Sequence, residues 1–210
     1  FFAARIDGYD EHMRSEIERS TGFYAYTASL LPEKAECRVL DLGCGTGLEL
    51  EAYFARNPRA RITGIDLSDV MLNALKGKFP EKELTLIHGS YFDVPFGEKQ
   101  YDAAVSVESL HHFSAERKAA LYRKLRAALD DNGRFVLTDY FAESEEMEKQ
   151  YIQDLEAMKK EQGLPEDVFY HYDTPLLVSH EMDLLCQAGF REVRIMKAWG
   201  ESTFTVLAAL

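Results

Sequence analysis

Three glycines stand at alternate positions in "VLDLGCGTGL" (39–48), just after an aspartate that closes an apolar run. Each glycine weakens a helix or strand by roughly 0.5–1 kcal/mol relative to alanine. A stretch holding Gly43, Gly45 and Gly47 therefore gives up regular structure for a tight backbone that approaches a ligand closely, with N–H groups at a helix start. A second acid, Asp66, lies 23 residues beyond Gly43. An acid about 20 residues past a glycine turn receives ribose hydroxyls in nucleotide-binding βαβ units. Together the two features indicate a nucleoside pocket. Asp66 could instead cap the following helix, but Ser68 is better placed for that.

Two further residues could do chemistry. "YDAAVSVESLHHF" (101–113) ends in His111 and His112, and an imidazole titrates close enough to neutral pH to take a proton from an oxygen or nitrogen nucleophile. His111 is the candidate general base. The competing expectation is that one ring packs in a helix-start turn and the other faces water. No acid is placed in the sequence to orient either ring, which favours a pocket that works by positioning. Adjacent residues in a turn seldom converge on one ion and no third ligand is evident, so no metal site is expected. Cys44 lies inside the glycine loop, but no base is spaced to activate it.

The elements around these residues alternate. Strand-like runs at 37–43, 61–67, 84–89, 101–107 and 133–140 are separated by helical patterns at 46–57, 68–79 and from Ser114 to Leu129. Ser68 takes a cap position, with Met71, Leu72 and Leu75 facing inward. Near-continuous apolar strands joined by helices predict a doubly wound parallel α/β sheet with helices on both faces. Beyond it, 144–163 reads as a helix from a serine cap to a glycine stop, followed by the aromatic stretch "DVFYHYDTPLL" (167–177) and a helix from Ser179 to Gly189. The closing strands at 191–199 and 202–210 are joined by about two residues, "GE", which makes the last strand antiparallel to its neighbour.

The chain has 210 residues, 46% of them hydrophobic and 29% charged, enough for one domain with a sizeable core. Its formal net charge of −12 weighs against a nucleic-acid partner. The densest basic stretch, "RKAALYRKLRAAL" (117–129), reads as a solvated helix face. Cys37, Cys44 and Cys186 form neither a disulfide framework nor a metal-ligand pattern, so reduced thiols and a cytoplasmic location are expected. The opening "FFAARIDGYDEHM" lacks the pattern of a signal peptide, and no run is long enough to span a membrane.

A dinucleotide fingerprint would need a third glycine where Leu48 stands. The G-x-G-x-G loop preceded by Asp41 resembles instead the first motif of class I S-adenosylmethionine-dependent methyltransferases. "GIDLS" (64–68) resembles that family's ribose-binding strand end, "YDAAVSVESLHHF" its fourth-strand motif, and "LRAALDDNGRFVL" (125–137) the helix, turn and fifth strand that follow. The resemblance runs from about residue 35 to the C-terminus and implies a Rossmann-like, seven-stranded sheet with an antiparallel seventh strand between strands five and six. It also implies S-adenosyl-L-methionine as cofactor. Asp41 and Gly43, Gly45 and Gly47 would hold its methionyl part and Asp66 both ribose hydroxyls. Leu67 and Met71 would flank the adenine, and Val107 and Glu108 would line the pocket near the sulfonium. Many relatives carry an aspartate where this chain has Ser90, and Tyr91 would supply a backbone N–H to the ring. Tyr9, in "YDEHM" (9–13), is the candidate contact from a segment that relatives fold over the cofactor.

The resulting expectation is a methyltransferase acting on a small-molecule acceptor, monomeric or homodimeric, with no membrane partner. Residues 1–35 would form an N-terminal helical cover and 141–178 a helical lid, where Tyr151, Phe169, Tyr170 and Tyr172, with Tyr140 at the end of the fifth strand, line the acceptor pocket. The alternatives are an S-adenosylmethionine-binding module that modifies tRNA or protein, and a nucleotide-dependent oxidoreductase. Relatives that make carboxy-S-adenosylmethionine carry an arginine where "LLCQAGF" has Leu184.

Overall fold

The computed structural model describes residues 6, 8–18, 22–165, 168 and 170–210. Seven strands form one sheet: β1 (Arg38–Leu42), β2 (Arg61–Asp66), β3 (Glu83–His88), β4 (Tyr101–Val107), β5 (Leu129–Tyr140), β6 (Glu192–Ala198) and β7 (Thr203–Ala209). Their order is β3-β2-β1-β4-β5-β7-β6. The first five are parallel, and β7 runs antiparallel between β5 and β6. Strand order reverses between β1 and β4, and in such a sheet the crevice beyond the carboxyl ends at that point takes the ligand.

Seven α-helices accompany the sheet among the described residues: α1 (Tyr9–His12), α2 (Phe23–Ser29), α3 (Leu48–Arg56), α4 (Asp69–Lys78), α5 (Ala115–Ala128), α6 (Glu145–Glu161) and α7 (Val178–Gln187). A π-helical turn, Met13–Glu18, continues α1. The sheet carries an apolar cluster on each face. Leu40, Leu42, Leu121, Leu125, Phe135 and Leu185 belong to one, and Val39, Leu50, Tyr53, Ile62, Leu75 and Val136 to the other. Alternate residues of β1 and β5 enter opposite clusters because strand side chains alternate faces, so the central strands are apolar on both sides.

Several local expectations need correction. β5 starts at Leu129, and its pairing with β4 slips between Tyr101 and Ala103, so "DDNG" forms an irregular entry to the strand, not a separate turn. The link between β6 and β7 is residues 199–202, closed by the Trp199 N–H donating to the Thr203 carbonyl at 2.8 Å. α7 starts at Val178 with Leu177 in the cap position, and Ser114 begins α5 without a side-chain cap bond. The basic stretch is also not a fully solvated face. Lys118 is only 2% exposed, because its ammonium meets Glu181 Oε2 at 2.6 Å. Lys124 donates to the carbonyls of Tyr91, Phe92 and Val94. A buried charge survives only with such partners.

Candidate active site

The glycine loop follows β1 directly, and all three glycines have positive φ: 74° at Gly43, 47° at Gly45 and 70° at Gly47. Their surroundings give them different tasks. A Cβ on Gly43 would lie 2.2 Å from Ser109 Oγ, and one on Gly47 would lie 2.4 Å from Leu75 Cδ1. These two let neighbouring elements pack against the loop. Gly45 has nothing nearer than the Tyr9 hydroxyl at 3.9 Å, so its Cα faces the crevice. Asp66 ties the loop to the next strand end: Oδ2 accepts from Gly45 N–H at 2.9 Å, and Oδ1 from Ser68 N–H at 2.8 Å. Ser68 caps α4 through Met71 N–H. Leu67 is 57% exposed beside the loop, whereas Met71 is buried beneath it.

Three acids line the loop. Asp41 and Glu49 are buried, and Asp41 Oδ2, Glu49 Oε1 and Glu108 Oε1 have no hydrogen-bond partner among the described residues. Burial first, and then the charge of Glu49, push the Asp41 carboxyl well above the usual range, and burial raises that of Glu49 as well. Glu108 sits at φ 50°, an uncommon conformation for a side chain with a Cβ. Burial, then the charge of Asp139, raise its pKa to about 8. Orphaned carboxylate oxygens beside a glycine crevice fit a cationic ligand. They suit the ammonium and sulfonium groups of S-adenosylmethionine, so the residues present fit that cofactor.

The chain itself covers this crevice. Tyr9, Met13 and Tyr24 lie over residues 43–49 and Val107, leaving a cavity of only about 20 Å³. Asp10 fastens the segment, accepting from Thr46 Oγ1 and from Lys78 Nζ, both at 2.5 Å. Residues 23–31 belong to the body of the fold, since Phe23, Ala28 and Leu31 are at most 3% exposed. Ser90 Oγ accepts from Phe92 N–H within its own turn, and the buried Tyr91 directs its hydroxyl to Ser109.

At the ends of β4 and β5 the structure supplies acids that the sequence reading did not find. His111 is 8% exposed, and its Nδ1 lies 2.5 Å from Asp139 Oδ1. Asp139 Oδ2 also accepts from Leu110 N–H, so the carboxylate holds both the ring and the turn that carries it. Burial alone would lower the His111 pKa, but the charge and hydrogen bond of Asp139, with Glu108 and Asp173, carry it up to about 9. His112 Nδ1 lies 2.9 Å from Asp173 Oδ1, and His111 Nε2 lies 3.7 Å from the same oxygen. Both histidines thus have an acid beside them, contrary to the sequence expectation. Neither acid stands next to a histidine in sequence; the position of Asp139 at a parallel strand end, beside the already singled-out Tyr140, was the available signal.

A groove of about 870 Å³ opens beyond His112. Phe113 and Arg117 at the start of α5, Ile152 and Leu155 on α6, and Leu164, Tyr170 and Leu176 contribute to its walls. Tyr151 reaches Tyr140, hydroxyl to hydroxyl at 2.7 Å, and does not line it. Phe169 lies outside the described residues.

Residues 39–133 match the family model of a methyltransferase domain. An uncharacterized methyltransferase of Staphylococcus carnosus is 31% identical over 73% of this chain and 68% of its own length. A malonyl-[acyl-carrier protein] O-methyltransferase of Priestia megaterium is 33% identical over 44% of this chain, the match spanning 34% of that protein. In fold, an S-adenosylmethionine-dependent methyltransferase from Mesorhizobium loti superposes with a TM-score of 0.66 at 18% identity, covering 91% of this chain and 99% of the other. Identity of 31% to the Staphylococcus protein over more than two thirds of both chains, on a sheet with an antiparallel seventh strand, shows that the chain belongs to the class I S-adenosylmethionine-dependent methyltransferases.

Proposed function

We propose that this methyltransferase acts on a small-molecule acceptor bound in the groove between the start of α5, α6 and the residues Leu164, Tyr170, Thr174 and Leu176. One observation carries the reading. The turn 109–113 joins the two sites, with Ser109 against Gly43 at one end and His112 and Phe113 in the groove wall at the other. An acceptor in the groove would present its nucleophile at the histidines, next to the crevice that fits the cofactor. The groove's mix of apolar and charged walls suits an amphipathic metabolite. Relatives with small or acyl acceptors support this, including the Priestia enzyme and a fatty-acid O-methyltransferase of Mycolicibacterium smegmatis.

In this reading Asp41, Glu49 and the loop Gly43–Gly47 hold the methionyl end of the cofactor, Asp66 the ribose, and Leu67, Met71, Ser90 and Tyr91 the adenine. Val107 and Glu108 border the sulfonium. The bound cofactor supplies a methyl carbon already activated by positive sulfur, so the protein's main work is alignment and exclusion of water. The segment around Tyr9 must shift to admit the cofactor into so small a cavity and then close over it, while α6 and residues 170–176 serve as the acceptor's lid. The acceptor's proton leaves at the His111–His112–Asp173 end of the groove, with Asp139 fixing His111.

Incubation with methyl-tritiated S-adenosylmethionine and a fractionated metabolite extract tests the reading. Label is expected in a low-molecular-weight fraction. Label appearing in tRNA or protein would instead support a macromolecular acceptor.

A further inference from the structure

The cluster beyond β4 has a geometry that proton transfer alone does not require. A ring nitrogen of His111, a ring nitrogen of His112 and a carboxylate oxygen of Asp173 all lie within 4.8 Å of one another. Two contacts in this cluster, 3.7 Å from His111 Nε2 and 2.9 Å from His112 Nδ1 to Asp173 Oδ1, bracket the separation of ligands around one small cation. Two ligands held about 2.0–2.2 Å from a tetrahedral zinc ion are roughly 3.4 Å apart. His112 Nδ1 is buried and pairs with Asp173 Oδ1 at 2.9 Å, so the ring nitrogen and the carboxylate already face each other.

The surroundings are built for the same purpose. A metal-bound histidine commonly donates its second ring N–H to a carboxylate, which fixes tautomer and orientation. Asp139 Oδ1, 2.5 Å from His111 Nδ1, is in that position and leaves Nε2 facing Asp173. Asp173 is held in place by its neighbour: Thr174 N–H donates to the His111 carbonyl at 2.7 Å, so the loop carrying the third ligand is bonded to the residue carrying the first. The His171 ring lies 4.4 Å from that of His112 and closes one side. The Asp173 side chain is 49% exposed and His112 borders the groove, which gives an ion an entry path and leaves a coordination position open on the acceptor side.

We infer that His111, His112 and Asp173 form a binding site for one divalent transition-metal ion, with zinc the best match to two imidazoles and a carboxylate, and Asp139 as the positioning residue behind His111. Its use in catalysis rests on the small-molecule transfer reading, whereas its existence does not. An acceptor hydroxyl bound at the open position loses its proton to solvent more readily. The resulting oxygen forms the new O–CH3 bond as the S–CH3 bond breaks, and S-adenosylhomocysteine leaves as the neutral thioether.

The test uses the full chain freed of metal by chelation and dialysis, titrated with Zn²⁺ by calorimetry and with Co²⁺ by its visible d–d absorption. One equivalent should bind, with the intense bands of a low-coordinate cobalt site. Asp173→Asn and His112→Ala should each weaken binding by at least a hundredfold, and Asp139→Asn by 10–100-fold. His180→Ala, which alters a histidine paired with Glu148 outside the triad, should bind as the parent does. Each variant's affinity for S-adenosylhomocysteine reports whether it is folded and whether the cofactor site is intact, independently of any ion. Absence of saturable binding in the parent, or unchanged binding in folded Asp173→Asn and His112→Ala, overturns the site while leaving the transfer reading standing.

Discussion

Replacing Asp66 by alanine removes two kinds of interaction at once, and the structure lets them be weighed separately. The carboxylate accepts N–H bonds from Gly45 and Ser68 at 2.9 and 2.8 Å. Hydrogen bonds to a charged acceptor contribute about 1.5–3 kcal/mol each. Asp66 is only half-buried, so water can replace part of that loss, and a stability cost of about 2–3 kcal/mol is expected. If the same oxygens also receive the ribose hydroxyls, losing even one such bond costs at least about 1.4 kcal/mol of affinity, a tenfold rise in Kd, and losing both costs about a hundredfold or more. Ser68→Ala is the control. It removes the cap of α4, worth about 0.5–2 kcal/mol of stability, without touching the crevice. Calorimetric titration with S-adenosylhomocysteine, alongside urea denaturation of each variant, separates the effects. An Asp66→Ala protein that is less stable but binds within threefold of the parent would refute the ribose assignment and leave Asp66 as a loop tie alone.

Other outcomes are expected from the same geometry. Gly47→Ala should destabilise by about 1–3 kcal/mol in denaturant melts, since its Cβ would meet Leu75 Cδ1 at 2.4 Å, whereas Gly45→Ala should lower cofactor affinity more than stability. Asp10→Ala frees the cover from Thr46 and Lys78, so amide exchange in residues 8–18 should quicken in the free protein and slow again when S-adenosylhomocysteine is added; exchange indifferent to ligand would make the segment static. Burial would raise the Asp102 pKa, but its bonds from Arg38 and Lys34 hold it down at about 2. Because Arg38 and Lys34 reach it from solvent, that depressed carboxyl stabilises the fold by only about 1 kcal/mol above pH 4, and this is lost as pH falls from 4 to 2. Acid melts of Asp102→Asn should lack that part of the slope. Once an acceptor is known, His111→Ala should lower turnover by 10²–10⁴-fold above about pH 9, where the Asp139-paired ring is neutral and can accept a proton, with little change in cofactor affinity; near-native turnover there would remove this ring from proton removal.

The sheet was legible in sequence because its signals are local. Short apolar runs, a serine at position 68 and glycines after β1 each report on neighbours within a few residues. The order of the last two strands came from the short link between them together with the resemblance to the family. The acids that serve His111 and His112 were not legible, because Asp139 comes to His111 across the β4–β5 pairing and Asp173 through a loop docked on the His111 carbonyl. Contacts made across 28 and 61 residues of chain leave no spacing rule to read. Lys118 was misread for a related reason: its partner Glu181 lies on α7, and a helix pattern with one buried lysine looks like a solvated face. The glycines were read correctly as permissive backbone, but only the structure divides them into two that admit packing and one that faces the crevice.

The transfer of methyl label tests the central claim most directly. The full chain, methyl-tritiated S-adenosylmethionine and a metabolite extract are incubated together, then separated into small-molecule, nucleic-acid and protein fractions. The account predicts label in the small-molecule fraction, matched by S-adenosylhomocysteine formed in equal amount and lost in Asp66→Ala. Label confined to nucleic acid or protein, or transfer undiminished in that variant, would contradict it.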